Sequence, residues 1–518
     1  MTAIELTGTG IGSAEVLAVA RDGVPVGLAA EARTAMERSA AIVERLAASE
    51  EPVYGVSTGF GSLATTPIPP ERREDLQRAL IRSHAAGMGP PIEREVVRAM
   101  MVLRARSLAM GYSGARPELA VRLCDLLNEG ITPVVPEHGS LGASGDLAPL
   151  AHVALVLIGE GEVLGAFGEQ TPPATGPKPA AEVLAAAGIE PLNLRAKEGL
   201  ALINGTDGIL GMLVLAAADL RRVLEAGEVA AAMSVEALLG TDRAFSADLI
   251  ALRPQAGQAA SAENLRRLLA GSEIVASHRY DDPRVQDAYS LRCAPQVLGT
   301  VRDALAFADS IADRELASAI DNPMVLPDGR VESCGNFHGA PLGLACDLLA
   351  IAAADVGAMS ERRTDRLLDA SRSMGLPPFL ADDPGVDSGL MIAQYSQAAM
   401  VAENRRLAVP AGTDTVPTSA MQEDHVSMGW SAARKLRSSV ANLRRVVAVE
   451  LACAARALDL RAPLRPAPGT AAARDSIREL TPGPGPDRWL APELATVEAM
   501  VAGGAVVAAA SAAIGAIL

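Results

Sequence analysis

Long helical patterns of apolar residues in the second half of the chain constrain its fold most. After Gly205, apolar residues recur at spacings of three and four, which is the pattern of a helix that packs on one side. Five long runs show it: Leu213 to Val235, Val297 to Ile320, Pro341 to Asp369, Gly389 to Ala408 and Met428 to Leu458. Runs of about 20 residues or more that are rich in alanine predict a mainly α protein built on a long antiparallel helical bundle.

The first 200 or so residues have a different character. Short helical stretches alternate there with glycine-rich turns, such as YGVSTGFG from Tyr54 to Gly61. We therefore predict a loop-rich N-terminal domain at residues 1–200, and a central helical bundle with a C-terminal helical segment at residues 201–518. Proline and glycine interrupt helices, so the stretches Phe167 to Pro179 and Arg465 to Trp489 are predicted to be loops.

The composition disfavours several classes of protein. With 518 residues, 49% hydrophobic and 3% aromatic, the chain can bury a large core of Ala, Leu and Val. A net charge of -16 disfavours nucleic-acid binding. The five cysteines lack paired spacing, which indicates neither a disulfide framework nor a zinc site. No export signal is visible, and the uncharged stretch from Ala499 to Leu518 is only weakly apolar, so we expect a cytoplasmic protein with no membrane span and no metal.

The string GSLGASGDLAPLAH, from Gly139 to His152, contains three neighbouring residues that can form an electrophile. In a sharp turn, the Gly145 nitrogen can attack the Ala143 carbonyl carbon, and loss of water, including the Ser144 hydroxyl, leaves a conjugated 4-methylideneimidazol-5-one ring. Glycine permits the strained approach. The alternative is an ordinary loop. A serine-hydrolase elbow is disfavoured, because Asp146 stands where that motif requires glycine.

This string resembles the prosthetic-group loop of the aromatic amino acid ammonia-lyases and aminomutases. Six further strings, spread from Tyr54 to Met428, resemble the histidine-specific ammonia-lyases of that family, most closely the actinobacterial branch. The resemblance implies a fumarase/aspartase-like helical fold and elimination of ammonia from L-histidine to give trans-urocanate. It also implies the ring formed from Ala143, Ser144 and Gly145, no metal or diffusible cofactor, and a homotetramer that shares its active sites between subunits.

The resemblance also assigns roles to residues in the first three strings. Tyr54 in YGVSTGFG is the base or proton relay of the elimination, although this string could also be a phosphate-binding glycine loop or a plain turn. His84 in SHAAGMG would hydrogen-bond the substrate imidazole. Asn204 in KEGLALINGTDG holds the amine and carboxylate region of the substrate, although Asn-Gly is also a common helix stop.

The other three strings supply the remaining candidates. Gln286, Tyr289 and Arg292 lie in VQDAYSLRCAPQVLG; a helix there would place them near one face, with Arg292 as a bidentate partner for the substrate carboxylate. Phe337 in SCGNFHG lies against the prosthetic ring in relatives. Glu423 in QEDHVSM can accept an imidazole N–H or take a proton, although an acidic helix start would look similar.

Two of these candidates predict specificity. Phenylalanine-specific relatives have an apolar pair at the position of Ser83 and His84 and an amide at that of Glu423. A phenyl ring would leave both polar groups without partners, so we expect strong selection for histidine. Four residues depart from the commonest pattern of the histidine-specific members: Ser57, Asp207, Ala340 and Met421.

Three other interpretations stay open from the sequence. A 2,3-aminomutase would share the ring but add the ammonia back to the substrate. A helical lyase of the fumarase type would share the bundle and lack the ring. A protein without catalytic activity would use the same helices as a scaffold.

Overall fold

The computed structural model describes residues 3–49, 53–165, 176–280 and 282–518. Over these residues the protein is mainly helical with little sheet, as predicted. The chain divides into two compact units. Unit 1 comprises Met1–Leu215, Asp309–Cys346 and Pro410–Arg434, and unit 2 comprises Ala216–Ala308, Asp347–Val409 and Lys435–Leu518.

The helices and strands alternate most closely in the first 200 residues. The helices up to Ile203 are α1 (Ser13–Arg21), α2 (Ala30–Ala47), α3 (Arg73–His84), α4 (Arg94–Ala109), α5 (Pro117–Asn128), α6 (Leu147–Leu157), α7 (Ala180–Ala186) and α8 (Glu198–Ile203). The strands are short and pair in twos. One pair, β1 (Ile4–Leu6) with β2 (Val26–Leu28), is parallel. The other three pairs are antiparallel: β3 (Met88–Pro91) with β4 (Pro136–His138), β5 (Glu162–Val163) with β6 (Lys178–Pro179), and β7 (Met324–Val325) with β8 (Val331–Glu332).

The second half of the chain contains the long helices. They and their shorter neighbours are α9 (Asp207–Ala237), α10 (Ala247–Ala251), α11 (Ala256–Leu269), α12 (Glu273–Ser277), α13 (Tyr289–Arg292), α14 (Ala294–Leu316), α15 (Ala340–Leu368), α16 (Met391–Leu407), α17 (Gly429–Asp459), α18 (Pro468–Leu480), α19 (Ala491–Gly503) and α20 (Ala505–Ile514). Helices α9, α14, α15, α16 and α17 match the five predicted runs to within a few residues, so the apolar spacing located them correctly.

One prediction about a loop needs correction. The stretch Arg465 to Trp489 is not a continuous loop, because α18 occupies its middle. Proline stands in the first turn of that helix, where it costs no hydrogen bond, and three alanines follow. The uncharged C-terminal stretch forms two helices, α19 and α20, which bend by 61° where Gly504 takes φ +77°. Most of the loop predicted at Phe167 to Pro179 lies outside the described residues.

The division into units differs from the predicted boundary at residue 200. Unit 1 takes in most of the first 215 residues and two later segments, Asp309–Cys346 and Pro410–Arg434. Four of the five boundaries between the units fall within α9, α14, α15 and α17, and the fifth lies between α16 and α17. The prediction of an N-terminal domain at 1–200 and a bundle at 201–518 stays a prediction.

Helix α4 lies at the centre of unit 1 and carries three buried arginines. The guanidinium of Arg98 donates to the carbonyl oxygens of Val19 and Leu127. Arg104 and Arg106 donate to carbonyl oxygens in the chain from Ser318 to Ile320. Val19 and Leu127 lie in the last turns of α1 and α5, where carbonyl oxygens lack a partner within the helix, so α4 holds these two helix ends and the irregular segment Ser318 to Ile320 in place.

The helices of unit 2 meet around a buried ion pair. Glu450 on α17 bonds Arg363 on α15 at 2.5 and 2.8 Å, and both side chains are at most 1% exposed. The hydroxyls of Ser234 and Ser360 donate to the same carboxylate at 2.7 and 2.6 Å. These bonds join α9, α15 and α17, so one carboxylate links three helices.

The neighbouring helices of unit 2 run in both directions. Gln397 and Asn404 on α16 donate to the carbonyl oxygens of Val446 and Ser439 on α17, so these two helices are antiparallel. Helix α15 follows α17 in the same direction, because Lys435 pairs with Asp347 and Glu450 with Arg363.

Among the described residues, two helices are long and apolar enough to cross a membrane by length and composition alone: Glu198–Ala237 and Ala340–Leu368. The bent pair α19 and α20 would be a third if it formed one span. The most apolar window of the first helix is entirely buried within the protein, and 61% of that of the second is buried. Packing inside the protein therefore accounts for the apolar character of the first window and of most of the second.

We expect Glu450→Ala to lower the free energy of unfolding by about 3 to 5 kcal/mol, because Arg363 would remain buried without its partner. Urea denaturation followed by circular dichroism measures this change. The matched control is Glu498→Ala, which removes a partly exposed pair with Arg444 and should cost about 1 kcal/mol or less. Equal losses in the two variants would contradict the role assigned to Glu450.

Candidate active site

The turn that carries the Ala143-Ser144-Gly145 triplet is built on two glycines in the left-handed backbone region. Gly142 has φ +66° and Gly145 has φ +72°. A Cβ atom on Gly145 would lie 2.1 Å from the carbonyl oxygen of Gly205, and one on Gly142 would lie 2.1 Å from the hydroxyl oxygen of Ser427. Both positions therefore require glycine, for backbone angle and for space.

The triplet is also held from the other side by the string that contains Glu423. The hydroxyl of Ser427 donates to the Gly142 carbonyl oxygen at 3.0 Å, and the Met428 amide donates to that of Leu141 at 2.8 Å. The two strings, far apart in the sequence, thus form one surface in unit 1.

Ser144 and Asn204 lie in direct contact. Asn204 follows the last residue of α8 and is 1% exposed. The Ser144 hydroxyl donates to Asn204 Oδ1 at 2.6 Å. The Asn204 Nδ2 group donates to the carbonyl oxygen of Asn322 at 2.8 Å and to Asp321 Oδ1 at 3.2 Å. The helix-stop interpretation and the site interpretation of Asn204 are therefore compatible.

Asp146 connects the triplet to the start of α9. Its Oδ2 accepts the amide hydrogens of Gly208 and Ile209 at 2.9 and 3.0 Å, and its Oδ1 accepts the Ser140 hydroxyl at 2.8 Å. Burial raises the pKa of Asp146 to about 7, although these three hydrogen bonds act in the opposite direction. The carboxyl group caps the positive end of the α9 dipole, which favours its charged form.

Tyr54 lies on a turn that meets the loop of Glu423. The Gly61 amide donates to the Tyr54 hydroxyl oxygen at 3.2 Å, and the Tyr54 ring stands edge-on to Phe60 with centroids 6.4 Å apart. One residue on, the Ser62 amide donates to the Ser419 hydroxyl oxygen at 3.2 Å. The candidates for proton transfer, Tyr54 and Glu423, are thus carried by adjacent loops.

His84 is the last residue of α3 and is half-buried. The Ser83 hydroxyl donates to the Leu80 carbonyl oxygen at 3.0 Å and lies 3.1 Å from His84 Nδ1. Because the Ser83 hydroxyl donates its hydrogen to Leu80, its oxygen accepts a hydrogen bond from His84 Nδ1. The other ring nitrogen, Nε2, is then left as an acceptor. Burial lowers the pKa of His84, while the nearby Glu423 carboxylate acts in the opposite direction.

Glu423 is half-buried, and its backbone pairs with that of Thr418. The Thr418 hydroxyl donates to Glu423 Oε2 at 2.7 Å. Since its charge acts on the pKa of His84, the two residues predicted to set specificity lie within electrostatic reach of each other.

Phe337 lies half-buried in the turn before α15. Its neighbour His338 has Nε2 3.2 Å from the carbonyl oxygen of His425, and the two imidazole rings have centroids 5.6 Å apart. This contact places the Phe337 turn beside the Glu423 loop. Among the described residues, no three His, Cys, Asp or Glu side chains are grouped as a metal site requires.

The remaining three candidates belong to unit 2. Gln286 precedes α13, which begins at Tyr289, so the expectation that a helix aligns all three is wrong for Gln286. Tyr289 and Arg292 do share a face, because the Arg292 guanidinium carbon lies 4.5 Å from the centroid of the Tyr289 ring. The Tyr289 side chain is exposed, and Arg292 Nε donates to the Asp287 carbonyl oxygen at 3.0 Å.

The structure accounts for two of the four departures from the family pattern. The Ser57 hydroxyl oxygen accepts the Val53 amide hydrogen at 2.8 Å. Asp207 is buried and forms an ion pair with Arg104 at 3.3 Å. Ala340 and Met421 are exposed, and no contact explains either residue.

Three residues around Asn204 were given no role from the sequence. Arg104 Nη1 donates to the Asn204 carbonyl oxygen at 2.8 Å. Lys197 and Asp321 form a fully buried ion pair with Nζ and Oδ2 2.7 Å apart. Lys197 lies in the quoted string KEGLALINGTDG, whereas Asp321 lies in none of the quoted strings. A lysine and an aspartate so far apart carry no local signal of pairing.

We expect Asp146→Asn to make thermal stability less dependent on pH. The folded-state pKa of Asp146, about 7, exceeds the ordinary value of 3.8, so folding favours the protonated acid. That stabilisation is fully present below pH 4 and is lost as the pH rises through 7. The free energy of unfolding falls by about 4 kcal/mol at most over this range. The melting temperature of the variant relative to the natural protein should therefore increase between pH 4 and pH 8. A constant difference would contradict burial as the dominant cause.

Comparisons with known proteins agree with this geometry. The aromatic amino acid lyase family model matches residues 11–479. The curated histidine ammonia-lyase of Streptomyces avermitilis is 60% identical over 503 residues, which cover 97% of each chain. Among solved structures, a tyrosine aminomutase from Streptomyces globisporus has a TM-score of 0.92 at 38% identity, covering 99% of each chain. A histidine ammonia-lyase from Trypanosoma cruzi has a TM-score of 0.89 at 37% identity, covering 99% of this chain and 96% of its own. The chain belongs to the aromatic amino acid lyase family.

Proposed function

We propose that this protein is a histidine ammonia-lyase, which eliminates ammonia from L-histidine to give trans-urocanate in the first step of histidine degradation. One observation carries the proposal. Ser144 lies in a glycine-braced turn with its hydroxyl bonded to Asn204, while His84 and Glu423 lie within electrostatic reach of each other in the same unit. The identity of 60% to a histidine ammonia-lyase supports the choice of substrate.

The catalytic group we propose is 4-methylideneimidazol-5-one, formed from Ala143, Ser144 and Gly145 without a metal or a diffusible cofactor. The Gly145 nitrogen bonds to the Ala143 carbonyl carbon, and the first water takes that carbonyl oxygen with the amide hydrogens of Ser144 and Gly145. The second water takes the Ser144 hydroxyl with the hydrogen on its Cα. The two glycines in left-handed conformations fit such a turn.

The chain's own residues then bind the substrate and move its proton. Once formed, the ring would supply an electrophilic alkene that captures the substrate amine and makes it a better leaving group. Loss of the Ser144 hydroxyl on ring formation would leave Asn204 Oδ1 able to accept an N–H of that amine, while Nδ2 stays bonded to Asp321 and Asn322. Phe337 packs against the ring, and Tyr54 or Glu423 takes the hydrogen from the β-carbon.

His84 and Glu423 recognise the substrate ring. His84 presents Nε2 as an acceptor, since Nδ1 is bonded to Ser83, and burial keeps the imidazole neutral by lowering its pKa. Glu423 accepts through Oε1, since Oε2 is bonded to Thr418. A protonated substrate imidazole has two N–H groups and can donate one to each acceptor, whereas a phenyl ring donates to neither and would leave both without partners.

We propose further that the enzyme is a homotetramer whose sites are shared between subunits. Gln286, Tyr289 and Arg292 would come from another copy, with Arg292 as the partner of the substrate carboxylate. Exposed apolar side chains support assembly. On α15 these are Leu344 and Ile351, which lie seven residues apart, and on α16 they are Ile392 and Tyr395. Each of the four side chains is between 44 and 62% exposed. Contact with another subunit would remove these apolar side chains from water.

A cytoplasmic location is part of the proposal. Cys124, Cys346 and Cys453 are buried and form no disulfide, and burial raises the pKa of Cys124 and Cys453 to about 12. Buried protonated thiols are compatible with a reducing compartment.

We expect the purified protein to be two water molecules lighter than its sequence requires and to release ammonia from L-histidine. Intact-mass spectrometry measures the first property, and ultraviolet absorbance of the conjugated acrylate measures the second. Ser144→Ala should show neither change, because it lacks the hydroxyl that leaves. A natural protein with unaltered mass and full activity would refute the proposed group.

We expect His84→Leu and Glu423→Gln each to lower kcat/KM for L-histidine by about two orders of magnitude, because the first removes an acceptor for the imidazole and the second removes the carboxylate charge that strengthens the bond to its N–H. The matched control is Arg82→Leu, at an exposed position on α3 where the side chain bonds Glu160, and its kcat/KM should stay near that of the natural protein. Assays with L-phenylalanine and L-tyrosine in parallel test the selectivity. A preference of the natural protein for either would refute the choice of histidine.

The tyrosine aminomutase among the similar structures makes an aminomutase the second candidate. Product analysis separates the two activities. Free ammonia with urocanate supports the lyase, whereas accumulation of a β-amino acid would support the aminomutase.

A further inference from the structure

We propose that Lys197 and Asp321 are positioning residues, which orient the Asn204 amide so that the Ser144 hydroxyl is held for ring formation. This inference rests on the proposed function. The ion pair, with Nζ and Oδ2 2.7 Å apart, is fully buried, and no step described above uses it. Burying two charges costs free energy that their attraction does not always repay, so such a pair often serves to fix a geometry.

The backbone at Lys197 supports a specific role. Lys197 has φ +67° directly before α8, a left-handed conformation that is unfavourable for a lysine. Strained positions persist where the surrounding structure determines them, and they cluster at functional sites. Here the ion pair holds the side chain, and α8 leads straight to Asn204.

Asp321 uses its second oxygen to fix the Asn204 amide. Asp321 Oδ1 accepts from Asn204 Nδ2 at 3.2 Å and from the Asn322 amide at 2.7 Å. The Asn322 carbonyl oxygen accepts the other Nδ2 hydrogen at 2.8 Å. A flipped Asn204 amide would place its oxygen against two acceptors, so only one orientation is satisfied.

The orientation of the Asn204 amide determines which of its atoms the Ser144 hydroxyl contacts. Asn204 Oδ1 faces Ser144 and can only accept, so the serine hydroxyl must donate to it, as the distance of 2.6 Å shows. The lone pairs of the hydroxyl oxygen then point elsewhere and can take the proton that the oxygen needs to leave as water. Lys197 and Asp321 act on Ser144 only through Asn204, which makes them positioning residues rather than catalytic ones.

The test is the double variant Lys197→Met/Asp321→Asn, which removes both charges with little change in volume. An amide at position 321 can rotate and present its NH2 group to Asn204 Nδ2, so the orientation of Asn204 is no longer fixed. We expect the folded double variant to lose its two waters about tenfold more slowly than the natural protein. Intact-mass spectrometry over time after synthesis measures this rate.

The matched control is Arg116→Met/Glu198→Gln. This variant removes a neighbouring ion pair of 2.7 Å, in which Glu198 is equally buried and adjacent to Lys197 on the chain, without touching Asn204. We expect it to lower the melting temperature while water loss proceeds at the natural rate. A purely structural role for Lys197 and Asp321 would give both double variants the same result.

Each outcome decides the question. If the natural protein loses two waters and the folded Lys197→Met/Asp321→Asn protein loses them equally fast, the inference fails while the proposed function stands. If the natural protein loses none, the proposed function itself fails. If the double variant does not fold, the folded fraction of Asp321→Asn alone is measured in the same way, and water loss at the natural rate would again overturn the inference.

Discussion

The architecture of unit 1 depends on one close backbone contact, between the turn at Gly145 and the turn at Gly205. The Asp146 amide donates to the Gly205 carbonyl oxygen at 2.7 Å, and no side chain fits between the two turns. This contact brings the end of α8 and the start of α9 against the triplet. It also explains why an aspartate follows the triplet, since that carboxyl group reaches the first amides of α9.

Charge inside unit 1 is arranged around this contact rather than within a wide polar cavity. Arg104 holds the Asn204 carbonyl and pairs with Asp207, while Lys197 pairs with Asp321 on the other side. Every one of these groups is at most 1% exposed. In such surroundings, hydrogen bonds are stronger and misplaced polar groups cost more, so each side chain is confined to one geometry.

The sequence predicted the long helices well because their apolar spacing repeats over many turns, as in α9 and α17. It singled out the triplet and Asn204 because a motif of neighbouring residues carries them, and the roles assigned to these residues stay predictions. It missed α18, because proline and glycine around that helix outweighed its alanines. It could not predict the partnership of Lys197 and Asp321, since a pair separated by 124 positions leaves no trace in local pattern. Gln286 was placed on a helix that begins only at Tyr289, which shows how uncertain short helices are.

The discontinuous course of unit 1 also sets the order of events during synthesis. The turn at Leu141 and Gly142 is braced by Ser427 and Met428, some 285 positions later, and the amide of Asn204 is fixed by Asp321 and Asn322. A ribosome must therefore translate more than four-fifths of the message before these braces exist, because the chain emerges from its N-terminus. We therefore expect that the proposed ring does not form on a nascent N-terminal fragment, so truncated translation products would lack the electrophile.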